Sequence, residues 1–276
     1  MRWGRIAKRV TVQLVLAYVV ICVGMYVAQD GLIFHPTADA AGIEGLVAAA
    51  ENEAFELERE DVRLRGALLL ARDGAQSGAK APALMYFGGN AEAVAYKAEP
   101  FAWIREGGAH VLLLPYRGYD GSEGQPGAER MRADALAAYD RLAADPRVDA
   151  AQIYGMGYSM GTGVATYLAH ERELAGLVLV APFRRLGEIA EGSYPWLPVG
   201  LLLAHDFDSL GLAPEIDEKL LLVHGDADTM IPIEHGLAIR EAWGGPSELL
   251  RLEGRGHDGV STHPQTMASI RRFLRL

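Results

Sequence analysis

A serine flanked by glycines, then a pair of acids, then a histidine in a glycine-rich loop give this chain its chemical content. Ser159 stands in Gly157-Tyr158-Ser159-Met160-Gly161, after an apolar stretch over 152–156 and before a run of small and apolar residues. Gly-x-Ser-x-Gly between a strand and a helix predicts a sharp turn that lifts the hydroxyl above a sheet. A side chain at 157 or 161 would strike the neighbouring strand or helix, so both positions call for glycine. The helix starting at Met160 aims its free N–H groups and dipole at the site, which favours negative charge there. A plain glycine-rich turn shares the pattern; the placement between strand and helix favours the chemical reading.

A serine hydroxyl attacks a carbonyl only with a base in hydrogen-bond reach and a third group to orient that base. Acids follow in His224-Gly225-Asp226-Ala227-Asp228, and beyond them lie only His235, His257 and His263. His235 and His263 fall in predicted helices, whereas His257 ends Gly254-Arg255-Gly256-His257 straight after the last strand, so His257 is read as the base. Asp226 and Asp228 compete as the orienting acid. Asp226, nearer the strand end, can tie its own turn; Asp228 is freer to reach His257 and is favoured. An oxyanion needs two pre-aimed backbone donors. Met160 supplies one and Gly88-Gly89-Asn90 the other, with Asn90 as donor and Gly89 beside the substrate. Arg117 and Glu123 are read as loop-stabilising pairing groups. The chain shows no cluster with zinc-ligand spacing and no phosphate-binding glycine pattern, so neither metal nor cofactor is expected.

The elements that must position these residues are legible as apolar runs. Phe55–Glu60 and Val62–Ala71 alternate with charge and predict an antiparallel pair. The runs Ala83–Phe87, Val111–Leu114, Ile153–Met156, Leu177–Val180, Leu220–Val223 and Leu249–Leu252 are nearly all Leu, Val, Ile and Met. Strands buried on both faces look like this in a parallel sheet. Helices are expected at Ala91–Glu106, broken near Pro100, and at Ala128–Ala144, Met160–Glu171, Glu234–Trp243 and Ser261–Leu274. The alternation predicts an α/β fold with a mostly parallel, doubly wound sheet, whose functional groups gather at the strands' C-terminal ends. Residues 183–218 are expected as a short lid. Their run Tyr194-Pro195-Trp196-Leu197-Pro198-Val199, continued by Leu201–Leu203, predicts a non-helical path roofing an acyl pocket, with Trp196 against the substrate.

Residues 10–28 carry no charge and as a helix would span about 29 Å, close to a bilayer's hydrocarbon thickness. Arg2, Arg5, Lys8 and Arg9 precede them and Asp30 follows. This asymmetry predicts a single-pass anchor over 10–29 with residues 1–9 cytoplasmic and the domain over 30–276 exported. The bulky Tyr26 argues against a cleaved signal, and Val20-Ile21 against a lipoprotein site at Cys22, the one cysteine. Of the net charge of −10, the tail's four cations leave 22 basic against 36 acidic side chains in the remainder. No electrostatic case for nucleic acid follows.

The segments YRGYDGSEG, GYSMG, HGDADTMIP and GRGH, in this order, resemble the α/β-hydrolase superfamily of serine hydrolases across most of residues 30–276. Within it they are most similar to a short-lidded, membrane-anchored branch related to depalmitoylating thioesterases and prolyl-aminopeptidase-like proteins. The resemblance carries the acid over to Asp228. It also implies a histidine where this chain has Gly88, and the missing side chain removes a support of the second oxyanion donor. The expected activity is cleavage of a small-molecule or lipid-like acyl ester or thioester through an acyl-enzyme. An amidase or aminopeptidase on the same residues, or a silent anchored binding protein, are the alternatives.

Overall fold

The computed structural model describes residues 2–59, 62–72 and 80–276. The chain opens with α1 (Arg2–Ile33) and the short α2 (Ala40–Ala48). Then follow β1 (Asn52–Arg59), β2 (Val62–Leu69), β3 (Ala81–Phe87), α3 (Ala102–Glu106), β4 (His110–Leu113), α4 (Ala128–Ala143), β5 (Val148–Tyr158), α5 (Met160–Glu171) and β6 (Gly176–Val180). Three short helices, α6 (Leu186–Ser193), α7 (Val199–Leu202) and α8 (Ser209–Leu212), lead to β7 (Leu220–Gly225), α9 (Ile233–Ala242), β8 (Ser247–Leu252) and α10 (Pro264–Leu274).

The strands form one sheet in the order β1-β2-β4-β3-β5-β6-β7-β8. β1 and β2 pair antiparallel with Leu57 opposite Leu64, β2 meets β4 antiparallel, and all other neighbours are parallel. Strand pleating sends alternate side chains to opposite faces. Along β3, Met85 and Phe87 join one core with residues of α4, α5 and α9; Leu84 and Tyr86 join the other with residues of α2, α3 and α10. The connections reverse direction between β3 and β5, and a crevice opens at such a switch point above the strands' C-terminal ends. Gly88–Asn90 follow β3 there, and Ser159 follows β5.

Two expectations need correction. Ala91–Glu106 is not one interrupted helix: a 3₁₀ turn covers Val94–Lys97 and α3 begins at Ala102. Ala91 has φ 57°, outside the right-handed helical region, and the Glu92 and Asp120 side chains take the N–H groups of Gly89 and Val94. The run after Pro198 is helical over Val199–Leu202, because proline is tolerated just before a helix and restricts only the residue preceding it. The first helix covers the expected apolar stretch and runs on to Ile33, and Phe34 beyond it is buried in the core.

Candidate active site

Ser159 sits at the strand-to-helix turn with φ 50° and ψ −117°, a conformation that costs energy for any residue with a side chain. Packing enforces it. A Cβ on Gly157 would lie 2.5 Å from the Gly161 carbonyl oxygen, and one on Gly161 only 2.1 Å from that of Phe87. The turn is locked on β6 by the Ser159 N–H, which donates to Val180 O at 2.9 Å. The hydroxyl is left half-buried, facing the loops that follow β7 and β8.

Those loops bring a histidine and an acid to it. Ser159 Oγ is 2.9 Å from His257 Nε2, and His257 Nδ1 is 2.7 Å from Asp228 Oδ2. The other Asp228 oxygen accepts the N–H groups of Met230 and Ile231 at 2.9 and 2.8 Å. Burial pushes the Asp228 carboxyl up, but the hydrogen bonds to His257, Ile231 and Met230 outweigh it and hold the group below the usual aspartate value. A carboxylate fixed in this way holds the imidazole with its proton on Nδ1 and leaves Nε2 to accept from the serine. His224 lies beneath Asp228 and is fully buried; its Nε2–H donates to Ile231 O at 2.8 Å. Burial lowers its pKa, so it stays neutral beside the acid.

Asp226, the rival carboxylate, turns away. It accepts the Gly254 N–H at 2.7 Å and Arg251 Nε–H at 3.0 Å, tying the acid-bearing loop to the one carrying His257. The Ala227 N–H reinforces this tie by donating to Arg255 O. Tyr158 holds the histidine from the other side: its ring stacks on the imidazole at 5.4 Å and its hydroxyl donates to His257 O.

The loop after β3 supplies the remaining groups. A Cβ on Gly89 would fall 3.0 Å from the Tyr158 ring and 3.6 Å from Ser159 Cβ, so glycine lets this backbone approach the serine. The Gly89 N–H is taken by Glu92 Oε2 at 2.7 Å. The backbone N–H groups of Asn90 and Met160 have no acceptor among the described residues. The Asn90 side chain spans three elements. Its Nδ2 donates to Ile33 O at 2.6 Å, and its Oδ1 accepts from the His35 N–H and the Tyr119 hydroxyl at 2.9 and 2.8 Å. Trp196 is not brought to this cluster. It is 52% exposed, and its carbonyl accepts the Tyr18 hydroxyl on α1, a residue about 22 Å along the helix from Ile33.

Residues 79–206 match the family described as serine aminopeptidase, S33. Protein Rv2307c of Mycobacterium tuberculosis is 32% identical over 248 residues, 89% of this chain and 87% of that protein. The chain belongs to the α/β-hydrolase superfamily. The α/β-hydrolase domain-containing protein aho-3 of Caenorhabditis elegans is 30% identical over 165 residues, 60% of this chain but about half (48%) of that relative. The esterase Pf2001 of Pyrococcus furiosus superposes with a TM-score of 0.66 at 18% identity, covering 82% of this chain and 91% of that one, a likeness of fold.

In this hydrolase a histidine before Gly89 would have to displace side chains, since a Cβ on Gly88 would lie 2.8 Å from Val94 Cγ1 and 3.0 Å from Glu92 Oε2. Glu92 supports the loop instead. Besides the Gly89 N–H it accepts the Tyr86 hydroxyl at 2.8 Å and pairs with Lys97 at 2.6 Å; Lys97 in turn donates to Ser261. Sequence reasoning missed Glu92, although a carboxylate three residues beyond a free N–H is a local capping signal. Arg117 makes a buried two-pronged pair with Asp134 at 2.6 and 2.7 Å, while Glu123 accepts the Arg63 N–H. Among the described residues no group of acids, histidines and cysteine is arranged to hold a metal.

Proposed function

We propose that this hydrolase is a membrane-anchored serine esterase or thioesterase acting through an acyl-enzyme on Ser159. The observation that supports it is the unbroken line of contacts from Ser159 Oγ through His257 to Asp228, at 2.9 and 2.7 Å. As Oγ bonds to the substrate carbonyl carbon, its proton passes to His257 Nε2 and the carbonyl electron pair moves onto oxygen. The Met160 and Asn90 N–H groups meet that charge. Collapse of the tetrahedral adduct expels the alcohol or thiol, which takes the proton from His257. Water then adds to the acyl carbon and gives its proton to Nε2; the acid leaves as Ser159 recovers that proton. Asp228 stays ionised and stabilises the imidazolium at each stage. The basic residues before the apolar helix favour an exported domain.

A fluorophosphonate should label the protein on Ser159, and Ser159→Ala should abolish both labelling and p-nitrophenyl ester hydrolysis. Labelling that survives in Ser159→Ala would move the nucleophile elsewhere. The aminopeptidase description of the matched family favours a second reading, amide cleavage at the same serine. It would be preferred if an aminoacyl p-nitroanilide were turned over faster than the matching ester.

A further inference from the structure

The N-terminal helix and the lid share an interface that the chemistry at Ser159 does not require. Along α1, Tyr18 and Gln29 bond to the lid and Met25, Gln29, Leu32 and Ile33 line a cleft against it, at helical spacings of three, four and seven. Polar contacts mark the two ends of this interface. At the domain end, His205 Nε2 is 2.7 Å from Asp30 Oδ1, and Gln29 accepts the Ala204 N–H at 2.7 Å. At the far end the Tyr18 hydroxyl donates to Trp196 O at 2.8 Å. Tyr18 and Asp30 are about 18 Å apart along a helix. The lid therefore runs beside α1 deep into the apolar stretch that would cross a bilayer.

The lid's composition matches that depth. Residues 192–205 contain no Asp, Glu, Lys or Arg, and neither do residues 10–29 of α1. Leu201 is 86% exposed and Trp196 52%, on the portion flanked by this uncharged helix. Charges resume together at Glu191, Asp206 and Asp30. Between helix and lid lies an apolar cleft whose walls include Met25 and Leu32 on one side and Tyr194, Val199 and Leu202 on the other. Ile33 also lines it, and the Ile33 carbonyl is the acceptor of Asn90 Nδ2. On the inner side Ile33 and Ile189 pack on the core that contains Met160. The cleft thus runs from the helix flank to Ile33, the residue whose carbonyl holds the Asn90 side chain.

We propose that the lid is immersed in the lipid leaflet beside α1, and that the cleft admits one acyl chain of a membrane lipid ester laterally, bringing its carbonyl to Ser159. The substrate class is then a lipid carrying a long acyl ester rather than a water-soluble ester. This rests on α1 being an anchor and Ser159 the nucleophile.

The full-length chain reconstituted into phosphatidylcholine–phosphatidylglycerol vesicles tests both parts. With Cys22→Ser and Leu201→Cys, a nitrobenzoxadiazole label at 201 should be quenched by lipids bearing a nitroxide on the acyl chain and shielded from aqueous iodide. Quenching by iodide alone would overturn immersion. In the Ser159→Ala protein, which cannot turn over substrate, a phosphatidylcholine with a diazirine on its acyl chain should crosslink to residues 186–203 and 25–33. Leu202→Trp, which fills the cleft, should lower that yield by about tenfold. Adducts confined to residues 10–24 would overturn the port, because they mark only the lipid ring around the helix. Adducts at the lid, found together with an unsubstituted protein that takes no fluorophosphonate label, would support the port and remove only the chemistry assigned to Ser159.

Discussion

At the scale of single residues, the two aspartates of the loop after β7 have separate tasks. Asp228 meets His257, whereas Asp226 secures the loop that carries it. Asp228→Asn should lower kcat by on the order of 10⁴, since an amide cannot hold the imidazole in the required tautomer. Asp226→Asn should cause only a small fraction of that loss; steady-state kinetics on one ester compares them. If Asp226→Asn were the more damaging, the contacts around His257 would have been misread. Glu92 belongs at the same scale as a positioning residue. Glu92→Ala frees the Gly89 N–H and loosens the turn that presents Asn90, so kcat should fall about tenfold to a hundredfold with KM little changed. Glu92→Gln, which can still accept that N–H, should recover most of the rate. Equal losses in the two variants would show that the charge of Glu92, not its hydrogen bond, matters.

At the scale of elements, α1 serves the domain as well as any membrane. Its last turn supplies the carbonyl of Ile33 to Asn90, and the following Phe34 is buried. A chain beginning at Gly31 keeps both and should hydrolyse esters in detergent. Without detergent it should self-associate, because removing the helix uncovers the cleft wall around Leu202 and Leu203. A chain beginning at Thr37 loses Phe34 as well as Ile33 and His35, two of the Asn90 partners. It should be less stable by about 3 kcal/mol or more in urea titrations, the usual scale for removing a buried phenylalanine. A Gly31 chain that is monomeric in plain buffer would show that the lid closes over its own apolar wall. The uncleaved anchor is tested separately: the intact protein should resist alkaline carbonate extraction and retain its first residues.

At the scale of the whole molecule, buried histidines link stability to pH. His110, His224 and His235 have their pKa values lowered from the usual 6.5, in each case first by burial. Below that value the unfolded chain binds protons that the folded chain refuses, so stability falls as pH drops toward the folded values. His170 is shifted the other way, chiefly by its hydrogen bond to Glu215. Its contribution is complete below 6.5 and is lost as pH rises through its raised value, so it adds no slope on the acid side. Tm should therefore be lower by several degrees at pH 5 than at pH 6.5. A flat acid limb in calorimetry would mean that these histidines titrate freely in the folded state.

The amino-acid sequence by itself determined the buried strands and the turn that carries Ser159. An elbow that tolerates only glycine at 157 and 161 writes itself into local residue types, and strands buried on both faces must be apolar without interruption. The same local logic placed His257 in a loop rather than a helix. Sequence favoured Asp228 over Asp226, but the contact itself depends on how the loops after β7 and β8 cross, with Ala227 bonded to Arg255. Tertiary structure alone showed that Asn90 grips the end of α1 through its side chain, across 57 positions of sequence. It also set Trp196 against Tyr18 rather than beside Ser159. Contacts between residues so distant leave no period or motif in either partner, since each is a local compromise resolved only when the sheet, the lid and the first helix pack together.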